Sequence, residues 1–282
     1  MVAKGLTFLQ VLPHFIAGLF YLHMIIYHTA PLVQLVGWSL EIEIQFYLLV
    51  PLLALLIFRK SALLRRSLLL GFLLLYGAVI LRFADGTIPF PPDAGPPLAT
   101  YLNATIIFWI RYFIAGFVVT DLYLTVMPKL QNHWIWDLLS APCWVLAFAL
   151  GKGVWNFWGP FILILAFFGA FKGVLLPRFF RLPFVSIVGG MCYSIYLTHS
   201  IALQGFYYVY MKLLPGIHSI FPRLIIGEIL ILPGLIVVGA IFFLLIERPC
   251  MDRHWPNRLA AWFGRRFGRL PSGANGNLAT EE

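Results

Sequence analysis

Two glutamates stand at the head of a long apolar run, Val36-Gly37-Trp38-Ser39-Leu40-Glu41-Ile42-Glu43-Ile44-Gln45-Phe46-Tyr47-Leu48-Leu49-Val50-Pro51. A carboxylate there can accept a proton or orient a hydroxyl. A charge at the end of a membrane helix is costly unless it meets a cavity, a partner or the water interface. Two residues apart on a helix, Glu41 and Glu43 project about 200° from one another, so they cannot serve one cavity together. Ser39, Glu43 and Tyr47 recur every four residues and share a face, while Glu41 aligns with Gln45. One pair is expected to face inward and the other a neighbouring helix or the headgroups.

A second group of polar residues lies in Gly189-Gly190-Met191-Cys192-Tyr193-Ser194-Ile195-Tyr196-Leu197-Thr198-His199-Ser200. Cys192, Tyr196 and His199 form one stripe at i, i+4, i+7 spacing. A histidine flanked by tyrosine and hydroxyls deep in an apolar segment suits a cavity wall better than a plain structural role. Arg111, in Trp109-Ile110-Arg111-Tyr112-Phe113, is an intramembrane cation and so a functional candidate; the alternative is that it snorkels to the interface. It is also a natural counter-ion for Glu43. His14 and His23, nine residues apart, share no tidy face, and for these and His28 hydrogen bonding or capping is the expected role. Glu247-Arg248-Pro249 reads as a helix stop with a polar clamp. Cys143, Cys192 and Cys250 fit neither a metal spacing nor a disulfide framework, and no metal site is expected. There is no phosphate-binding Gly-Lys loop, dinucleotide fingerprint, His-Glu-x-x-His pattern or Gly-x-Ser-x-Gly elbow.

These residues must be positioned by membrane helices. Hydrophobic residues make up 61% of the chain and charged ones 11%, with mean hydropathy +0.89, against about 25% charged in a soluble domain. The predicted fold is all-α, a polytopic membrane helix bundle of about eight transmembrane segments, near 5–28, 38–58, 67–83, 101–126, 134–150, 155–172, 184–210 and 222–247. The first run is too long for a signal peptide and lacks a small-residue cleavage site. Phe83 to Leu98 carries Asp85-Gly86, Pro89, Pro91-Pro92, Gly95 and Pro96-Pro97 and reads as a loop. Gly151-Lys152-Gly153 reads as a tight turn, and the stretch after Pro271 as disordered.

The bases fix an orientation. With the N-terminus cytoplasmic, that side holds Lys4, Arg59, Lys60, Arg65, Arg66, Lys129, Lys172, Arg178, Arg181, Arg248, Arg253, Arg258, Arg265, Arg266 and Arg269, fifteen of the 20 Lys and Arg. This positive-inside bias places both termini in the cytoplasm and Glu41 and Glu43 toward the opposite side. It also assigns the net charge of +9 to lipid headgroups. Nucleic-acid binding is not expected, because no compact basic module lies outside the spans. Residues 1–250 form the membrane domain, and 251–282 a basic cytoplasmic tail ending in a disordered segment.

Four motifs together carry a family resemblance. Trp38-Ser39-Leu40-x-x-Glu43-x-x-Phe46-Tyr47 resembles the signature of the acyltransferase 3 family, bacterial inner-membrane proteins that O-acylate surface glycans. Tyr193-Ser194-x-Tyr196-Leu197-x-His199 is similar to its second signature, Arg111-x-Phe113-x-x-Gly116 to its mid-chain element, and Glu247-Arg248-Pro249 to its closing motif. All four stand in the family's order. The resemblance implies an inner-membrane O-acyltransferase that moves an acyl group, acetyl above all, from cytoplasmic acyl-CoA to a hydroxyl of an extracytoplasmic acceptor. That acceptor would be an exopolysaccharide, a lipopolysaccharide or a lipid-linked sugar. No bound cofactor is implied; acetyl-CoA would be a substrate. The residues implied to carry the reaction are Glu43, as proton-accepting or orienting carboxylate, and Arg111, as its partner or oxyanion donor, with Tyr196 and His199 lining the same cavity. Trp38, Ser39, Tyr47, Tyr193, Ser194, Glu247 and Arg248 would support them.

Two departures stand out. Cys192 occupies a position where the family usually has Ser. The family also has about three spans before its Trp-Ser-Leu motif, with a catalytic His on the first and a cytoplasmic Arg pair later. Lys4 and His14 imitate the basic-to-His spacing one residue short, and the catalytic His is not carried over to His14. The resemblance therefore implies a chain inactive alone, its missing spans due to a misplaced start site, a split gene whose partner supplies them, or a true truncation. The competing readings are a non-catalytic membrane scaffold and a transporter-like protein, the latter without the internal symmetry transporters show.

Overall fold

The computed structural model describes residues 7–32, 36–87, 97–149, 154–213, 220–255 and 257. Lys4, most of the proline-rich loop (88–96), the turn at 151–153 and the tail beyond 257 lie outside the described residues. All regular structure among the described residues is helical. The chain divides into two compact units, 1–189 and 190–282.

The first unit contains α1 (Phe8–Leu19), α2 (His23–Tyr27), α3 (Gly37–Phe58), α4 (Ala62–Ile80), α5 (Pro97–Asn103), α6 (Ile106–Thr125), α7 (Trp134–Ala149), α8 (Val154–Lys172), α9 (Leu175–Phe180) and α10 (Pro183–Gly190). The second contains α11 (Cys192–Leu213) and α12 (Ile220–Phe242), followed by a π-helical turn at Phe243–Glu247. Four stretches are long and apolar enough to cross a membrane among the described residues: Gly37–Phe58, Ala62–Ile80, Leu98–Lys129 and Gly227–Cys250. The expected segments at 134–150 and 155–172 are present as shorter apolar helices. The expected run at 184–210 is divided between α10 and α11.

The first expected segment, 5–28, breaks in two. A reciprocal cap starts α1: the Thr7 backbone N–H donates to Gln10 Oε1 at 2.8 Å, satisfying one donor that a helix start leaves open. The helix stops at Leu19. Tyr21 then adopts φ +57°, and His28 ends α2 at φ +55°. Left-handed backbone at a non-glycine costs roughly 1–2 kcal/mol, so the surrounding contacts must hold this short helix in place.

Helix α6 is the axis of the first unit. Its Ile114, Phe117 and Val118 form a buried cluster with Leu69 and Leu73 of α4, and Phe46 of α3 and Phe161 and Ile164 of α8 pack against it. α4 and α6 run antiparallel: Arg65 at the start of α4 meets Asp121 near the end of α6, while Tyr76 near the end of α4 donates to the Ile107 carbonyl at 2.5 Å. α8 runs parallel to α6, with Asn156 beside Tyr112 at one end and Phe171 beside Tyr123 at the other. α7 returns antiparallel against α8. There Ser140 donates to the Ala166 carbonyl at 2.8 Å, and a Cβ on Gly169 would lie 2.6 Å from the Trp136 carbonyl, so only glycine permits the approach. Asp137 of α7 accepts the N–H groups of Val174, Leu175 and Leu176 at 2.7–3.0 Å and caps α9. The second unit is a helix pair, with Gly239 of α12 set against Ile195 of α11 and Gly234 against Phe206.

Candidate active site

The two faces of α3 have different work. On one face, Glu41 is 1% exposed, and its Oε2 accepts the Met24 backbone N–H at 2.7 Å. One turn on, Gln45 Oε1 accepts the Ile106 N–H at 2.9 Å. These side chains hold the starts of α2 and α6, where helix N–H groups lack intrahelical partners. On the other face, Tyr47 is exposed and donates to Glu43 at 3.5 Å. The sequence rule that Glu41 and Glu43 diverge holds, and Glu41 proves to be the one facing neighbouring helices. Trp38 packs on Trp109 with ring centroids 5.3 Å apart, Ser39 donates to the Val36 carbonyl at 3.5 Å, and Phe46 stacks on Phe113 at 4.0 Å. The first signature is thereby docked onto the first turns of α6.

Arg111 stands two turns into α6 and is 1% exposed. The expected pairing with Glu43 does not form: the salt bridges among the described residues all involve Asp121. Arg111 Nη2 instead lies 3.5 Å from Asn156 Oδ1. Its Nε and Nη1 find no acceptor among the described residues. The guanidinium carbon sits 4.3 Å from the Phe108 ring and 5.1 Å from the Tyr112 ring. Aromatic faces attract a cation but leave its N–H groups unbonded. A buried cation in a membrane span without a counter-ion is costly, and it is the arrangement a transient negative charge would exploit.

A polar loop covers this end of α6. Asn103 Nδ2 donates to Asp85 Oδ1 at 3.1 Å and to the Thr87 carbonyl at 3.0 Å, and its Oδ1 accepts the Gly86 N–H at 2.9 Å. Gly86 has φ +83°, and a Cβ there would lie 2.7 Å from the Phe108 ring, so glycine is required on both counts. Asn156 Nδ2 donates to the Asp85 carbonyl at 2.5 Å, and its Oδ1 accepts from the Tyr112 hydroxyl at 3.3 Å. Burial raises the Asp85 carboxyl, but bonds from the Thr87 N–H, the Thr87 hydroxyl and the Asn103 amide outweigh it and hold the group below the usual carboxylate range. Asn103 and Asn156 were not foreseen from sequence. The available signal was an amide in an otherwise apolar helix.

The opposite end of α6 was missed as well. Asp121 receives Arg65 Nε on Oδ1 at 2.6 Å and Arg66 Nε on Oδ2 at 2.5 Å. Arg66 Nη2 also donates to the Thr125 hydroxyl at 2.5 Å. A lone aspartate in an apolar run was the available sign that two neighbouring arginines at a helix start would be shared with it.

In the second unit, the Ser194 hydroxyl donates to Glu247 Oε2, joining the second signature to the closing motif. Glu247 of the expected clamp thus has its partner on α11, but the expected helix stop is absent: helix continues through Arg248–Cys250. A π turn inserts one residue into the helix register and often marks functional sites; here it ends on Glu247. His199 Nδ1 donates to the Tyr196 carbonyl at 2.5 Å, and the two rings lie 5.4 Å apart. Tyr193 is exposed, as are Cys192 and Arg248. No cluster of three metal-ligating residues occurs among the described residues.

A family model described as an acyltransferase domain matches residues 6–248. No curated protein and no solved structure matches the chain.

Proposed function

Because the chain belongs to the acyltransferase 3 family, we propose that it transfers an acyl group, acetyl by preference, from cytoplasmic acyl-CoA to a hydroxyl of an extracytoplasmic glycan or lipid-linked sugar. The oxygen of the acceptor hydroxyl attacks the thioester carbon. Its proton passes to a base, the C–S bond breaks, and the departing thiolate takes up a proton to leave free coenzyme A. A hydroxyl is a weak nucleophile at neutral pH and needs that base close by. Glu43 is the proton-accepting or orienting carboxylate. Arg111 carries the reading: a buried guanidinium with two unengaged donor nitrogens is suited to the oxyanion that develops during attack. Tyr196 and His199 of the second unit are the further candidates. The distribution of bases supports a location in the inner membrane with both termini in the cytoplasm.

The test is Glu43→Gln, read by mass spectrometry of surface-glycan acyl content alongside the amount of the chain in the membrane fraction. Acylation should vanish while insertion is unchanged. Acylation that persists would remove Glu43 from the mechanism, and unchanged acylation on deleting the gene would leave a scaffold.

A further inference from the structure

A cavity of about 430 Å³ lies between the end of α4 and the start of α8, lined among others by Ala78, Leu81, Arg82, Asp85, Asn156 and Phe157. Ligand sites run from roughly 300 to 1,000 Å³ and are mostly apolar with a few placed polar groups. This one has an aliphatic floor and one aromatic ring. Its rim is charged and exposed, at Arg82 and Asp85. Asp85 is turned back onto Thr87 and Asn103. The Arg82 guanidinium makes no hydrogen bond or ion pair among the described residues, so it is available to a ligand.

Asn156 connects this space to Arg111. Asn156 lines the cavity, and its Oδ1 lies 3.5 Å from Arg111 Nη2. Its Nδ2 is anchored on the Asp85 carbonyl. The amide therefore helps set where Arg111 points without neutralising it, and it faces a group held in the cavity. A ring with C–H faces and a hydroxyl edge matches such a lining: the faces lie on Phe157 and the aliphatic floor, and the edge meets Arg82 and the Asn156 amide.

We propose that this cavity seats the sugar ring of the acceptor, and that Asn156 is the positioning residue that holds Arg111 toward it. The assignment rests on the transferase reading for its chemistry but not for its binding. The experiment uses the full chain in lipid nanodiscs, with methyl α-D-glucopyranoside, galactopyranoside and mannopyranoside as probes in saturation-transfer NMR. At least one glycoside should show saturation, and Ala78→Trp, which fills the cavity from an exposed position, should cut it about fivefold, near 1 kcal/mol of affinity. Should Ala78→Trp lower the unfolding midpoint, Arg82→Ala replaces it, with a loss of about threefold expected. No saturation by any glycoside, or saturation that neither variant changes, overturns the seat. Glycoside binding together with unchanged surface-glycan acylation on deleting the gene would instead keep the seat and sink the transferase reading. Asn156→Asp places a carboxylate against Arg111: surface-glycan acylation in cells should fall roughly tenfold or more, with glycoside saturation changed less and the unfolding midpoint not lowered. Unchanged acylation would mean that Asn156 has only a structural role.

Discussion

The two ends of α6 solve the same problem in opposite ways. Near its finish, Asp121 is buried and receives two arginines. Ten residues earlier, about 15 Å along the axis, Arg111 is equally buried and receives no carboxylate. A buried charge that merely stabilises is expected to be paired and hydrogen-bonded, as Asp121 is. Arg111 is left with spare donors under a loop held by two asparagines. The first end ties α4 to α6; the second keeps a positive charge uncommitted.

The largest effect should come from breaking the saturated end. Asp121→Ala strands Arg65 in a buried position and should cost about 3–5 kcal/mol, read as a lower thermal midpoint in detergent. A loss below 1 kcal/mol would mean the pair is not structural. At the open end the sign should differ. Arg111→Gln should lower acyl transfer by roughly 10²–10³ while the midpoint stays level or rises, because an unpaired buried cation has been removed. A midpoint that collapses would make Arg111 a second structural tie. The smallest effect belongs to Glu41→Ala, which leaves the Met24 N–H without its acceptor and should cost about 1–3 kcal/mol; loss of activity beyond that destabilisation would move Glu41 into the chemistry.

Much of this was legible in the sequence because it depends on local period. The apolar runs predicted α3, α4, α6 and the last helix, and the 200° divergence of Glu41 and Glu43 follows from helix geometry alone. Which of the two faces a neighbouring helix was not legible, since that depends on where Met24 lies. The pairing of Arg65 with Asp121 spans 56 residues, and no local pattern reports such a contact. The break after Leu19 was hidden because it rests on a tyrosine in a left-handed conformation, where sequence rules look for glycine. The expected Glu43–Arg111 pair failed for a related reason: opposite charges on two spans suggest a contact, but the aromatic rings of Phe108 and Tyr112 already hold the guanidinium.

The double arginine on α4 also sets an order of assembly. Arg65 and Arg66 are synthesised 56 and 55 residues before Asp121. At about 5–20 residues per second, roughly 3 to 11 s pass before the carboxylate exists. During that interval the start of α4 has two cations and no internal anion, so lipid phosphates and interfacial water must solvate it. Only after α6 has been made can the Asp121 carboxylate replace those outside partners.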